Sequence, residues 1–178
     1  MWELQEPRPV KLIIGVLAAN EVALAEAVKA ISAEFGTIDL KSEVWPFTQT
    51  DYYSDETGPN ILRQFVSIEK LIDPGELAKI KHGTNELEQK LADSLKTELP
   101  RPVNLDPGFI EPSKLVLATT KNYSHRIYIG HKMFAEVTLI YEKGVWRDFE
   151  WTYPDYKQPG YHDFFNKVRA RLMEQLET

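Results

Sequence analysis

Val10-Lys11-Leu12-Ile13-Ile14-Gly15-Val16-Leu17 is a dense apolar run with β-branched residues close to the start of the chain. A half-buried strand alternates apolar and polar positions, whereas a run without alternation marks a strand covered on both faces. The stretch therefore predicts an inner strand with a layer packed on each side. Next along the chain, Asn20 can cap a helix whose apolar positions Leu24, Val28, Ile31 and Phe35 follow 4, 3, 4 spacing. Gly36 is placed to end that helix in the left-handed conformation. A second strand is expected over 38–47, interrupted at Pro46, then a polar loop over 48–60 and a third strand over 61–71. Asp73-Pro74-Gly75-Glu76 supplies an N-cap, a first-turn proline and a capping-box glutamate. The helix it opens buries Leu77, Ile80, Thr84, Leu87, Leu91 and Leu95. Strand, helix, strand, strand, helix is the opening of a ferredoxin-like split β-α-β sandwich, so the class is α+β.

The second half reads as added antiparallel strands and a closing helix. Residues 99–112 hold four of the eleven prolines plus Gly108 and are read as mostly irregular, with Asn104 to Gly108 as a turn. Residues 115–118 are too short for periodicity to assign. Strands are expected over 124–129 and 133–141, joined near Gly130. In the second, Met133, Ala135, Val137, Leu139 and Tyr141 share one face, with Glu136 and Thr138 on the other. Lys143-Gly144 turns the chain into a strand over 145–149, and 151–161 is an aromatic loop. A helix over 161–176 buries Phe165, Val168, Leu172 and Leu176. The expectation is one domain over 1–178, with 1–9 an irregular lead-in.

Composition narrows the function. Lys and Arg number 21 against 27 Asp and Glu, a net charge of −6 in 178 residues. Such a balance disfavours binding to nucleic acid or to an anionic membrane, both of which depend on cationic contacts. With no cysteine there is no disulfide, zinc-thiolate site or thiol nucleophile. The start has neither a basic region nor an apolar stretch of signal-peptide type, so the protein is read as soluble and cytoplasmic.

Several chemistries lack their motifs. No two glycines are five apart and none precedes Lys, so there is no phosphate-cradling P-loop. There is no G-x-G pair for a dinucleotide and no G-x-S-x-G elbow. Asp55-Glu56-Thr57-Gly58 fits the D-x-x-G pattern of GTPase switches, but without a phosphate loop it has no partner. His125 and His131, six residues apart on an extended strand, would stand roughly 20 Å apart and cannot share an ion.

Three segments combine polar groups with aromatic rings. In the first, Thr50, Tyr52 and Tyr53 offer hydroxyls and stacking faces, and Asp51 a base or cation ligand; the same residues also suit a plain turn. The second runs from Thr119 to Arg126. Lys121, His125 and Arg126 concentrate positive charge beside Ser124 and Asn122, which suits a phosphate or carboxylate, and equally a solvated loop paired with acids. Strand alternation sets Arg126 and Tyr128 opposite His125 and Ile127, so one ligand could not easily use both His125 and Arg126. The third, Phe149 to Tyr156, places Trp151 and Tyr153 as a stacking wall or as a plug closing the core. Asp106 is a further candidate carboxylate.

Trp45 to Tyr53, Asn104 to Gly108, Lys114 to Arg126 and Trp151 to Tyr156 resemble corresponding stretches of an uncharacterised prokaryotic family catalogued as a domain of unknown function. Some of its members carry an automatic GTP-binding label. The resemblance spans nearly the whole chain and implies a stand-alone domain; it transfers no activity and no catalytic residue. Two readings follow from the residues. One is a binder, or enzyme, for a small anionic or phosphorylated ligand, with Lys121 and Arg126 on the anion, Tyr52, Tyr53 and Trp151 stacking, and Asp51 or Asp106 as acid/base or Mg²⁺ ligand. The other is a non-catalytic interaction module with an exposed aromatic patch.

Overall fold

A computed structural model describes residues 2–48 and 54–177, with backbone alone for Ser54 and Asp55. The elements run β1 (Lys11–Ala18), α1 (Glu21–Phe35), β2 (Ile38–Lys41), β3 (Trp45–Pro46), α2 (Ser54–Thr57) and β4 (Leu62–Ile68). A 3-10 turn, Pro74–Glu76, leads into α3 (Leu77–Leu95), followed by β5 (Val103–Glu111), β6 (Lys114–Thr119) and β7 (Ile127–Tyr128). The chain ends with β8 (Phe134–Glu142), β9 (Val145–Asp148), a 3-10 turn Pro154–Lys157 and α4 (Pro159–Leu176). One nine-stranded sheet has the order β2-β4-β1-β5-β6-β8-β7, with β3 also on β4 and β9 on β8. Every pairing is antiparallel. Its first four strands, β2-β4-β1-β5, with α1 and α3 between them in sequence, are the split β-α-β unit; the later strands extend the sheet. The class is α+β with a C-terminal helix.

All eight residues of β1 are buried. Leu12, Ile14, Val16 and Ala18 pack under α1 and α3 with Leu24, Ile31, Leu87 and Leu91. Ile13 turns to the other face, where α4 contributes Phe164, Phe165, Val168 and Leu172. The Asn20 side chain accepts from the Ala23 amide as expected; Asp73 Oδ1 accepts from the Gly75 amide but caps the 3-10 turn, and α3 itself starts after Glu76 without a side-chain cap. Gly36 has φ +106°, but its ψ is extended rather than left-handed. The strand expected over 38–47 is split into β2 and β3. Across the gap, Ser42 Oγ accepts from the Phe65 amide, a hydroxyl standing in for a ladder carbonyl.

Three expectations are corrected. The segment 99–112 is not mostly irregular, and Asn104 to Gly108 is not a turn: β5 runs through both, paired with β1 from Val103 to Ile110. Pro107 is tolerated because the β5–β6 ladder begins only at Gly108, so 103–107 has no strand on that side. Side chains of α3 replace the missing neighbour. Glu88 Oε1 accepts from the Leu105 amide at 2.7 Å, and Lys81 Nζ donates to the Leu105 carbonyl at 2.8 Å. Gly108 is needed where β6 closes in, since a Cβ there would stand 2.3 Å from the Val116 carbonyl oxygen.

The second correction is in β8. Leu115 pairs with Leu139 but Val116 pairs with Val137, so Thr138 is an extra, bulged residue. Ala135 and Val137 pack with Val116 on the α3 side, whereas Leu139 and Tyr141 pack on the α4 side. The apolar series therefore does not share one face. The third is the strand over 124–129, of which only Ile127 and Tyr128 are extended; the Arg126 amide closes a turn on the Tyr123 carbonyl at 3.0 Å.

Candidate functional site

The site grows from a missing side chain. Gly15 stands between Phe65 of β4 and Asp106 of β5 in the ladder, with Leu17 beside Arg63. A Cβ at Gly15 would come within 2.8 Å of Arg63 Nη1. Its absence lets the Arg63 side chain cross β1 toward β5, where Nη1 lies 3.5 Å from Asp106 Oδ2. Nη2 donates to Asp155 Oδ2 at 3.0 Å. The guanidinium also lies over the rings of Phe47 and Phe65, each 5.2 Å from the centroid, and of Tyr156 at 5.9 Å. Arg63 is 3% exposed, and its Nε and Nη1 find no hydrogen-bond acceptor among the described residues. The Tyr156 hydroxyl, buried beside it, has none either.

The two carboxylates flanking Arg63 differ. Asp155 is buried, and burial pushes its carboxyl above the usual range while Arg63 pulls the other way. Asp106 is 27% exposed, accepts from Asn104 Nδ2 at 2.8 Å through Oδ2, and makes no hydrogen bond through Oδ1 among the described residues. Burial opposes the Arg63 charge, yet Tyr156, Asp155 and Asp106 around it hold its pKa above the ordinary value. Burial first, then the nearby Glu136 charge, pushes the Tyr153 phenol up to about 12. Tyr153 is therefore a neutral hydroxyl at any physiological pH.

A second charged knot adjoins the first. Glu136, nearly inaccessible, accepts on the same oxygen from Arg126 Nε at 2.8 Å and makes a 3.0 Å contact with His125 Nε2. Because 123–126 is a turn, His125 and Arg126 converge on one carboxylate, which corrects the alternation that set them on opposite faces. Arg126 also donates to the Lys121 carbonyl at 3.0 Å and to the Tyr153 hydroxyl at 2.8 Å. All three of its nitrogens thus hold groups of the protein itself. Trp151 is partnered by rings though it stays exposed: Phe149 stacks on it at 4.6 Å and His125 at 5.1 Å, both near-parallel. Trp151 Nε1 and Thr152 Oγ1 donate to the carbonyls of Val137 and Thr138, at the bulge of β8.

Segments 104–108, 119–126 and 151–156 thus meet at one end of the sheet, the first and last joined by Arg63 and the last two by the Arg126–Tyr153 hydrogen bond. Ser124 and Lys121 lie exposed at the rim. Thr50, Asp51, Tyr52 and Tyr53 lie outside the described residues. Sequence reasoning missed Arg63, Asp155 and Glu136. The first two had a signal in the polar residues set into apolar or aromatic stretches; Glu136 had one only in the break of alternation around it. Among the described residues, no group of three or more His, Asp and Glu is placed to hold a metal ion. No helix described is long and apolar enough to cross a membrane.

The family model described as a domain of unknown function, DUF4416, matches residues 8–172. The chain belongs to that family. The match takes in every strand and all but the last turn of α4. No curated protein and no solved structure matches the chain. The matched span of this DUF4416 chain includes Arg63, Asp106, Glu136 and Asp155.

Proposed function

We propose that the chain binds, and acts on, a small molecule bearing a phosphate or carboxylate, at the end of the sheet where Arg63 stands between Asp106 and Asp155. The observation that supports this reading is the buried guanidinium with two nitrogens lacking acceptors among the described residues. An unpaired buried donor costs about 1–3 kcal/mol, so a fold keeps one where something else supplies the acceptor. Asp106 faces solvent at the mouth of the cluster with one oxygen unengaged, the position for an acid/base group or for a carboxylate sharing Mg²⁺ with the ligand. Tyr153 adds a neutral hydroxyl beside it. Arg126, held by groups of the protein itself, shapes the wall, while Trp151 is 41% exposed and offers a ring at the rim.

A thermal-shift screen over nucleotides, sugar phosphates, organic acids and divalent ions tests this. A true ligand at 100 times its Kd adds about 2.7 kcal/mol of stability. Asp106→Asn should abolish that shift while the chain stays folded, with a lowered unliganded midpoint because one of the two carboxylates beside the buried Arg63 is neutralised. GTP should not stand out from ATP or pyrophosphate, since no phosphate loop exists. A hit that binds Asp106→Asn as well as the natural chain defeats the assignment. The interaction-module reading keeps one observation of its own: Ile127 and Tyr128 on edge strand β7 and neighbouring Tyr123 are 72%, 60% and 66% exposed. A screen with no hit would favour it.

A further inference from the structure

At the far side of the sheet, β2 is an edge strand whose outer ladder is unpaired among the described residues. Beside it, α1 and β2 enclose an open groove of about 960 Å³, lined by Leu24, Val28, Ile38 and Val44 and rimmed by Lys29 and Lys41. The groove takes no part in the Arg63 site. An unpaired edge next to an apolar trough is where an extended segment can add a strand and seat alternate side chains.

The chain carries such a segment. Trp2-Glu3-Leu4-Gln5-Glu6 alternates apolar and polar, the pattern of a strand with Trp2 and Leu4 on one side. Trp2 is 98% exposed and Leu4 is fully exposed, so this apolar pair touches nothing in the protomer. Five residues match the four of β2. The segment brings Glu3 and Glu6, and the groove brings Lys29 and Lys41 against the single acid Glu21, so the balance of charge is complementary.

The route to a groove favours another molecule. β1 and β2 both run antiparallel to β4, so they are parallel, and a segment leaving the start of β1 points away from β2. Returning to its own β2 would need a reversal within Glu6-Pro7-Arg8-Pro9. Both prolines fix φ near −65°, and both residues before them are biased to extended backbone, so this stretch resists reversal and projects outward. We propose that residues 2–9 form an arm that docks as an added strand on the β2 edge and α1–β2 groove of a second copy of this chain.

Sedimentation equilibrium across a wide concentration range tests it. The expected result is a mass that rises from 20.5 kDa toward twice that value. Trp2→Ser with Leu4→Ser should hold the protein monomeric with an unchanged unfolding midpoint, as neither side chain is in the core. Lys29→Glu with Lys41→Glu should weaken the dimer at least tenfold, and Glu3→Lys with Glu6→Lys should restore it. The chain has no cysteine, so Leu4→Cys and Val44→Cys chains can be mixed and oxidised; a disulfide between unlike chains should prevail over like pairs. A monomer at all concentrations, or a dimer indifferent to Trp2→Ser with Leu4→Ser, overturns the proposal. So does a Leu4→Cys/Val44→Cys chain that closes its disulfide only within itself.

Discussion

The two faces of β1 are built from different materials. Toward α1 and α3 the apolar core is aliphatic: Leu, Ile, Val and Ala from three strands and two helices. Toward α4 the core is aromatic, with Phe65, Trp146, Tyr156, Tyr161, Phe164 and Phe165 packed edge to face. Charge is buried on both sides but held differently: Lys81 and Glu88 of α3 meet the β5 backbone at Leu105, whereas Arg63 lies among rings. An aliphatic layer offers a buried guanidinium nothing but desolvation, whereas ring faces supply negative potential and tyrosine hydroxyls supply polarity. Arg63 is accordingly inside on the aromatic side, where carboxylates of β5 and of the turn before α4 can reach it. One strand can thus support a layer built for cohesion and a layer that shelters chemistry.

The contrast can be broken most sharply at Arg63. Arg63→Met keeps bulk but strands Asp155, so urea unfolding should show a loss of about 3–5 kcal/mol. Adding Asp155→Asn should recover part of it; no recovery would mean that Arg63 matters for packing alone. On the aliphatic face, Ile14→Ala should cost about 3 kcal/mol as cavity and transfer terms combine. It should leave ligand shifts intact, and loss of those shifts would join the two faces into one unit.

Alkali sharpens the difference further. Burial holds the Tyr161 phenol up to about 12, above its ordinary value of 10. The folded state then keeps a proton that the unfolded chain releases, so stability is complete below pH 10 and falls as pH rises from 10 toward 12. The slope is about 1.4 kcal/mol per unit for this one group. Ultraviolet titration should show Tyr161 ionising only as the protein unfolds; ionisation in the folded protein near pH 10 would place the ring in water. The smallest effect lies outside both layers. Asp73→Ala, which removes the cap on the Gly75 amide, should cost about 1 kcal/mol and leave binding unchanged.

The aliphatic half was legible in the chain because its rules are local. β1 shows as an unbroken apolar run, α1 and α3 show as periodicity, and the Asn20 and Asp73 caps show as single residues. β5 was not legible, because Pro100, Pro102, Pro107 and Gly108 speak for a loop while the β1 ladder that makes it a strand, and the Lys81 and Glu88 contacts that complete it, lie earlier in the chain. The site was half legible. Asp106, His125, Arg126 and Tyr153 stand out as polar or aromatic residues in suggestive company. Arg63, set between apolar residues of a strand, gave no sign that an absent side chain at Gly15 opens its path. The turn at 123–126 obeys a backbone hydrogen bond that strand alternation does not contain.

The extra residue in β8 makes strand length carry information. Thr138 turns the side chains that precede it by half a period relative to those that follow, and Glu136, which holds Arg126 and His125, is among those that precede it. Deleting Thr138 would restore an ideal ladder with Glu136 still on its face beside Leu117, but it would remove the carbonyl that anchors Thr152 and the hydroxyl that donates to Glu136 Oε1. A more regular strand would thus be a worse one, and the family should bear substitutions along this stretch far better than a change of one in its count. A deletion scan through β8 reads that asymmetry directly.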